Sequence, residues 1–204
     1  MFPAIVLAAG RSSRFGTPKA LARVGQTTFI AQILQVLVDA GIEETAVVVR
    51  PGDDRILAEV ERGAPAARAV FNPEPDEWLI SSLLTGLNAV DRDHVEGVLV
   101  MLVDMPLVTS ATIRRLIDAA RASAAIVVRA AYGQRPGHPV VFKRAAFEAL
   151  RKADPSVGAK AVVHTMRVED VQVDDRGVVE DVDTPADYQR LFGERDRRLN
   201  DADQ

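Results

Sequence analysis

The sequence predicts a three-layer α/β/α sandwich, and three observations carry that prediction. Short β-rich runs recur that are apolar throughout rather than alternating, the mark of strands covered on both faces. Stretches with apolar residues at helical spacing lie between several of them. The chain has 204 residues, 48% of them hydrophobic, enough for one well-buried core and hardly for two.

The expected strands are Ala4–Ala8, Thr45–Arg50, Ala67–Phe71, Gly97–Val103, Ala125–Ala130 and Val140–Phe142. Phe29, Ile33, Leu34, Leu37 and Val38 share one helical face, with Thr28 as cap and Gly41 as stop. Leu83, Leu84, Leu87 and Val90 repeat the pattern, as do Ile113, Leu116, Ile117 and Ala120 after a Thr109 or Ser110 cap. Thr184 and Pro185 read as the cap and first position of a last helix. No repeat or linker divides the chain, so residues 1–192 are expected to form one domain. Residues 193–204, G-E-R-D-R-R-L-N-D-A-D-Q, hold too little apolar surface to pack and are expected to be a disordered tail.

A formal charge of −4 and a pI near 5.4 argue against a nucleic-acid partner, so an anionic ligand needs a local cluster of cations. The chain has no cysteine, hence no disulfide and no thiolate nucleophile. The apolar start lacks a basic flank, and no run approaches the roughly 18 apolar residues of a membrane span. These features lead us to expect a soluble, cytoplasmic protein without a membrane partner.

Residues 7–19, L-A-A-G-R-S-S-R-F-G-T-P-K, follow the first strand at the end of the sheet where α/β proteins bind ligands. Gly10 permits close approach of a phosphate, and Arg11, Arg14 and Lys19 supply positive charge from a loop expected to be exposed. The spacing matches neither the P-loop nor the dinucleotide fingerprint. Asp104, after the run V-L-V-M-L-V, places a carboxylate at the end of a buried strand and facing the same crevice. Asp183 precedes the Thr184-Pro185 helix start. No nucleophile–His–Asp constellation stands out.

The loop resembles the signature of the nucleotidyltransferases, and most closely the MobA-like branch that includes the molybdenum cofactor cytidylyltransferases. Three further segments share the resemblance in the same order: V-D-M-P at 103–106, P-G-H-P-V-V-F at 136–142 and D-V-D-T-P-A-D at 181–187. The resemblance implies a Rossmann-like nucleotide-diphospho-sugar transferase fold with a mostly parallel mixed sheet. It implies that Arg14, Lys19 and Asp104 are catalytic and that Asp104 and Asp183 hold Mg²⁺. Leu7, Ala8, Ala9, Gly10, Arg11 and Lys19, together with Asn72, Ser81 and Ser82 of the N-P-E-P-D-E-W-L-I-S-S stretch, would bind the nucleotide. Gly137, His138 and Lys160 would bind the acceptor in the C-terminal half.

The implied reaction transfers CMP from CTP to molybdopterin or its metal complex, releasing pyrophosphate, with a molybdenum enzyme as client. Ala9 stands where guanylyl-transferring relatives carry glycine. Two positions depart from the family pattern: Trp78 replaces a usual glycine, and Ser156 replaces an acidic residue before Gly158-Ala159-Lys160. Three alternatives stay open: transfer from GTP or to a sugar or polyol phosphate, a pyridine-dye oxidoreductase of the same fold, and a module that binds cofactor without catalysis.

Overall fold

The computed structural model describes residues 1–12, 15–75 and 79–202, with Leu79 and residues 194–202 described through their backbone alone. The strands are β1 (Ala4–Leu7), β2 (Arg23–Val24), β3 (Thr27–Thr28), β4 (Thr45–Val49), β5 (Ala67–Phe71), β6 (Gly97–Leu102), β7 (Val127–Tyr132), β8 (Arg135–Lys143) and β9 (Val168–Gln172). The helices are α1 (Phe29–Asp39), α2 (Asp54–Gly63), α3 (Leu79–Val90), α4 (Ser110–Ala122), α5 (Phe147–Arg151), α6 (Ala159–Thr165) and α7 (Pro185–Ala202). Seven strands form one sheet in the order β5-β4-β1-β6-β8-β7-β9, and β2 pairs with β3 in a separate hairpin. Within the large sheet β8 alone runs antiparallel to its neighbours.

Side chains of a strand alternate between faces, and here both faces are dry. Val6 of β1 joins a core with Ile33 and Leu37 of α1, Ile56 and Val60 of α2, and Ile113 and Leu116 of α4. Its neighbours Ile5 and Leu7 join the opposite core with Leu83 and Leu87 of α3, Phe147 and Leu150 of α5, and Val162 of α6. This is the expected sandwich. Thr28 caps α1 by accepting from the Ala31 N–H, and Thr109 caps α4 by accepting from the Thr112 N–H. Thr184 and Asp187 cap each other reciprocally at the start of α7.

Several features lay outside the sequence pattern, among them the helices α2, α5 and α6 and the β2–β3 hairpin. Strand β8 reaches back to Arg135, through Gly137, His138 and Pro139, because its first residues lie against the chain around Val178. Strand β9, V-E-D-V-Q, is an edge strand with one buried residue, so it lacks an apolar signature. The backbone of α7 continues as helix to Ala202, through the stretch expected to be a tail.

Because β8 is antiparallel, its beginning lies at the same rim of the sheet as the carboxyl ends of β1, β4 and β6. The segment between β9 and α7 is fastened to that rim. Asp175 Oδ2 accepts from the Thr109 N–H, the Thr109 hydroxyl and the Thr112 hydroxyl, at 2.9, 2.9 and 2.6 Å. A Cβ on Gly177 would lie 2.6 Å from the Leu107 backbone, and one on Gly137 would lie 1.8 Å from the Val178 carbonyl oxygen. At the other end of the segment, Phe29, Tyr188 and Phe192 stack in a third cluster, with Phe15 edge-on to Tyr188 at 6.1 Å.

Backbone lies against backbone at Gly137, so a side chain there has nowhere to go. Gly137→Ala is expected to lower stability by about 3 kcal/mol or more, at the upper end of overpacking costs. Urea unfolding would show this as a lower midpoint, whereas an unchanged midpoint would mean that β8 and the Val178 segment are not in close contact.

Candidate active site

The residues after β1 turn sharply. Ser12 adopts a left-handed φ of 49°, a conformation that costs a non-glycine residue about 1 kcal/mol and persists only when neighbours enforce it. Its carbonyl accepts from the N–H groups of Phe15 and Gly16, and its hydroxyl accepts from the Lys19 N–H at 3.0 Å. The chain then enters a single 3-10 turn, Lys19–Leu21. This turn carries Lys19 inward.

Lys19 is therefore not the exposed loop cation that the sequence suggested. It is 9% exposed, and its Nζ donates to Asp104 Oδ2 at 3.1 Å and to Asp183 Oδ1 at 2.5 Å. Burial is tolerable because two carboxylates answer the ammonium charge. Asp104 follows the end of β6, and its carbonyl accepts from the Val182 N–H at 2.9 Å, which sets Asp183 beside it. Among the described residues Asp104 Oδ1 is buried without a hydrogen-bond partner.

A cavity of about 340 Å³ opens over this group. Leu7, Ala9, Gly10, Arg11 and Ser12 line it from the first strand and loop, Ser82 from α3, and Lys19, Asp104 and Asp183 complete it. A second cavity, of about 370 Å³, lies behind the loop, where Ala8, Gly10 and Arg11 meet Arg50, Asp53 and Ile56. Arg14 and Trp78 lie outside the described residues.

Other expected residues fall elsewhere. Asn72 is 1% exposed, and its side-chain amide donates to Ser81 Oγ and Ser82 Oγ, each at 2.9 Å, while its Oδ1 accepts from the Glu74 N–H. Its polar atoms thus tie the end of β5 to α3 and fix Ser82, while Asn72 itself does not line the cavity. His138 sits near Asp104, and its buried Nδ1 has no partner among the described residues. Burial pushes its pKa below the usual histidine value, against the opposing pull of a hydrogen bond to the Val100 backbone and the Asp104 charge. Lys160 is exposed in the first turn of α6, and neither it nor Gly137 lines either cavity.

Sequence reasoning passed over Ser12 and Arg50. Arg50 follows β4 directly, and its Nη1 donates to the Ala9 carbonyl at 3.1 Å. The signal was a cation at the carboxyl end of an expected strand, the position that drew notice to Asp104.

Paired carboxylates beside a glycine loop suit a hard divalent cation shared with phosphate oxygens, and the unpartnered Asp104 Oδ1 leaves an oxygen for such a contact. Among the described residues no group of three or more His, Cys, Asp or Glu side chains could form an all-protein metal cage. The donor set thus fits a cation that keeps water and ligand phosphate in its shell. No helix among the described residues is long and apolar enough to cross a membrane.

Comparison with known proteins agrees with this geometry. Residues 4–171 match the model of the MobA-like NTP transferase domain. The crystal structure of Rv0371c from Mycobacterium tuberculosis H37Rv is 32% identical with a TM-score of 0.81, covering 95% of this chain and 99% of that one. A structure of Rv0371c in complex with manganese is similar at 29% identity and a TM-score of 0.78, over 94% of this chain and 98% of that one. The bifunctional protein GlmU of Xanthobacter autotrophicus is 34% identical over 142 residues, which is 69% of this chain but only 31% of that protein. The chain thus spans about a third of the length of this curated relative. Since the domain model reaches every strand of the large sheet and the Rv0371c likeness runs through nearly all of both chains, the chain belongs to the MobA-like NTP transferase family.

Proposed function

We propose that the protein transfers CMP from CTP to molybdopterin or its metal complex and releases pyrophosphate. The observation that carries the transferase chemistry is the Lys19 ammonium held between Asp104 and Asp183 beside the glycine loop. Ala9 supports the base assignment, since it lines the cavity with a methyl group where glycine would leave more room. In this reading the N-terminal half serves the nucleotide. The C-terminal half, with Gly137, His138 and Lys160, serves the acceptor.

An oxygen of the acceptor phosphate attacks the α-phosphorus, the bond from that phosphorus to the bridging oxygen breaks, and pyrophosphate leaves in line. The attacking phosphate is already ionised at neutral pH, so no side chain need remove a proton. The loop backbone and Arg11 orient the triphosphate, and Lys19 brings a fixed positive charge to the oxygens where negative charge develops. A divalent cation held by Asp104 and Asp183, Mg²⁺ in our reading, supplies further charge neutralisation when bound.

Melting the wild type with CTP, GTP, ATP, UTP or NADPH, each with Mg²⁺, tests the assignment. CTP at about 100 times its Kd should add about 2.7 kcal/mol of stability. Pyrophosphate should then appear only when molybdopterin is present. Stabilisation by NADPH alone would turn the reading toward an oxidoreductase.

Lys19→Met keeps an aliphatic stem but leaves two carboxylates facing each other. It should weaken CTP binding and lower stability by about 1–3 kcal/mol, with Mg²⁺ restoring part of that stability. Melts with and without Mg²⁺ check this, and a variant as stable as wild type would mean that the ammonium does not hold the carboxylates. Asp104→Asn should slow pyrophosphate release by at least about 10²-fold, and Asp183→Asn by less, since an amide oxygen can still coordinate. Full turnover of Asp104→Asn at limiting Mg²⁺ would remove Asp104 from the metal site. Lys160→Ala should raise the acceptor KM roughly 10- to 150-fold and leave CTP affinity unchanged. Steady-state kinetics with each substrate varied in turn would decide it, and equal kinetics would return Lys160 to a surface role.

A further inference from the structure

The Arg50 guanidinium lies behind the glycine loop, on the side away from the nucleotide cavity, and reaches the carbonyl of Ala9. A trans peptide unit is planar, and its C=O and N–H point in opposite directions. Holding the Ala9 carbonyl toward Arg50 therefore turns the N–H of the same peptide, which belongs to Gly10, the other way. The Nη1–O distance of 3.1 Å lies in the ordinary hydrogen-bond range, and the donor is a charged guanidinium. Arg50 lines the cavity behind the loop and not the nucleotide cavity, whereas Gly10 borders both. A Cβ on Gly10 would meet nothing within 4 Å, so the Gly10 side of this peptide faces open space, whereas Ala9 on its other side is packed in the core at 2% exposure. The nearest strand bond on the N-terminal side is that of the Ala8 N–H to the Val48 carbonyl, one residue before the peptide in question.

We infer that Arg50 is a positioning residue that aims the Gly10 N–H into the nucleotide cavity, at an oxygen of the bound nucleoside triphosphate. The inference rests on the nucleotide reading of that cavity. Arg50 does not touch the nucleotide. It acts through one peptide plane, preset before the ligand arrives, so that the N–H need not reorient on binding. Lysine at the same position would keep one charged donor but lose the rigid fork, and methionine would lose the donor altogether.

The test compares wild type, R50M and R50K by three measurements: thermal melting, calorimetric binding of CTP with Mg²⁺, and the amide resonance of Gly10 in ligand-free protein. R50M is expected to bind CTP about 10-fold more weakly, the scale of one lost hydrogen bond to a charged group. R50K should recover most of that affinity, with both variants melting close to wild type. The Gly10 amide resonance should move in R50M and return toward its wild-type position in R50K. An R50M that keeps both its CTP affinity and its Gly10 resonance would overturn the inference. So would a loss shared equally by R50M and R50K and accompanied by a fall in melting temperature, which marks a purely structural arginine. A wild type that binds no triphosphate would defeat the nucleotide reading instead. The inference would fall with it as to ligand, while the Gly10 resonance would still report whether Arg50 sets the peptide.

Discussion

One buried ammonium holds the site together. Lys19 Nζ bonds to Asp104 and Asp183, which lie 85 and 164 positions further along the chain. Without that charge, two carboxylates at the end of the sheet would repel each other where water screens them poorly. With it, the glycine loop, the end of β6 and the segment before α7 share one point. The side chains of the pair are only 23% and 30% exposed for Asp104 and Asp183, so neither is a surface ion pair of little consequence.

An ion pair of this kind fixes distances only if its partners are brought close by other forces. The sheet supplies one of them, because β1 and β6 are neighbours in register and end together. Asp183 has no strand to carry it. Its segment is held instead by Asp175 on the first turn of α4, by glycines at 137 and 177 that admit backbone against backbone, and by the Val182 N–H on the Asp104 carbonyl. The aromatic stack of Phe29, Tyr188 and Phe192 then anchors the start of α7, and Phe15 joins that cluster from the glycine loop itself. The same packing that ends the fold thus also braces the loop that begins the site.

The polar side chains around the cavity divide by where their bonds go. Asn72 spends its amide inside the protein, fixing Ser81 and Ser82, so its service to the site is indirect. Among the described residues Asp104 keeps an oxygen and His138 a nitrogen without a protein partner in the interior, positions that a water or a ligand atom can satisfy. The burial that lowers the pKa of His138 also keeps its ring neutral beside Asp104 at neutral pH, so it adds no second positive charge to that of Lys19.

By itself the sequence determined the sandwich, its central strands and the helix caps at Thr28 and Thr184, with that of α4 narrowed to Thr109 or Ser110, because burial on both faces and capping leave local residue patterns. It also singled out Gly10 and Asp104 beside strand ends and Asp183 beside a helix start, and Lys19 as one of three cations in the glycine loop. Periodicity was silent on β9, whose exposed edge needs no apolar pattern, and on the opening of β8, held by contact with Val178 rather than by its own residues. Only the tertiary structure decided that Lys19 is buried between two distant carboxylates, that Asn72 is a brace, and that Arg50 reaches the Ala9 carbonyl. The physical reason is common to all three. A side chain's charge and length are written in the sequence, but its partner is chosen by which strand lies beside which.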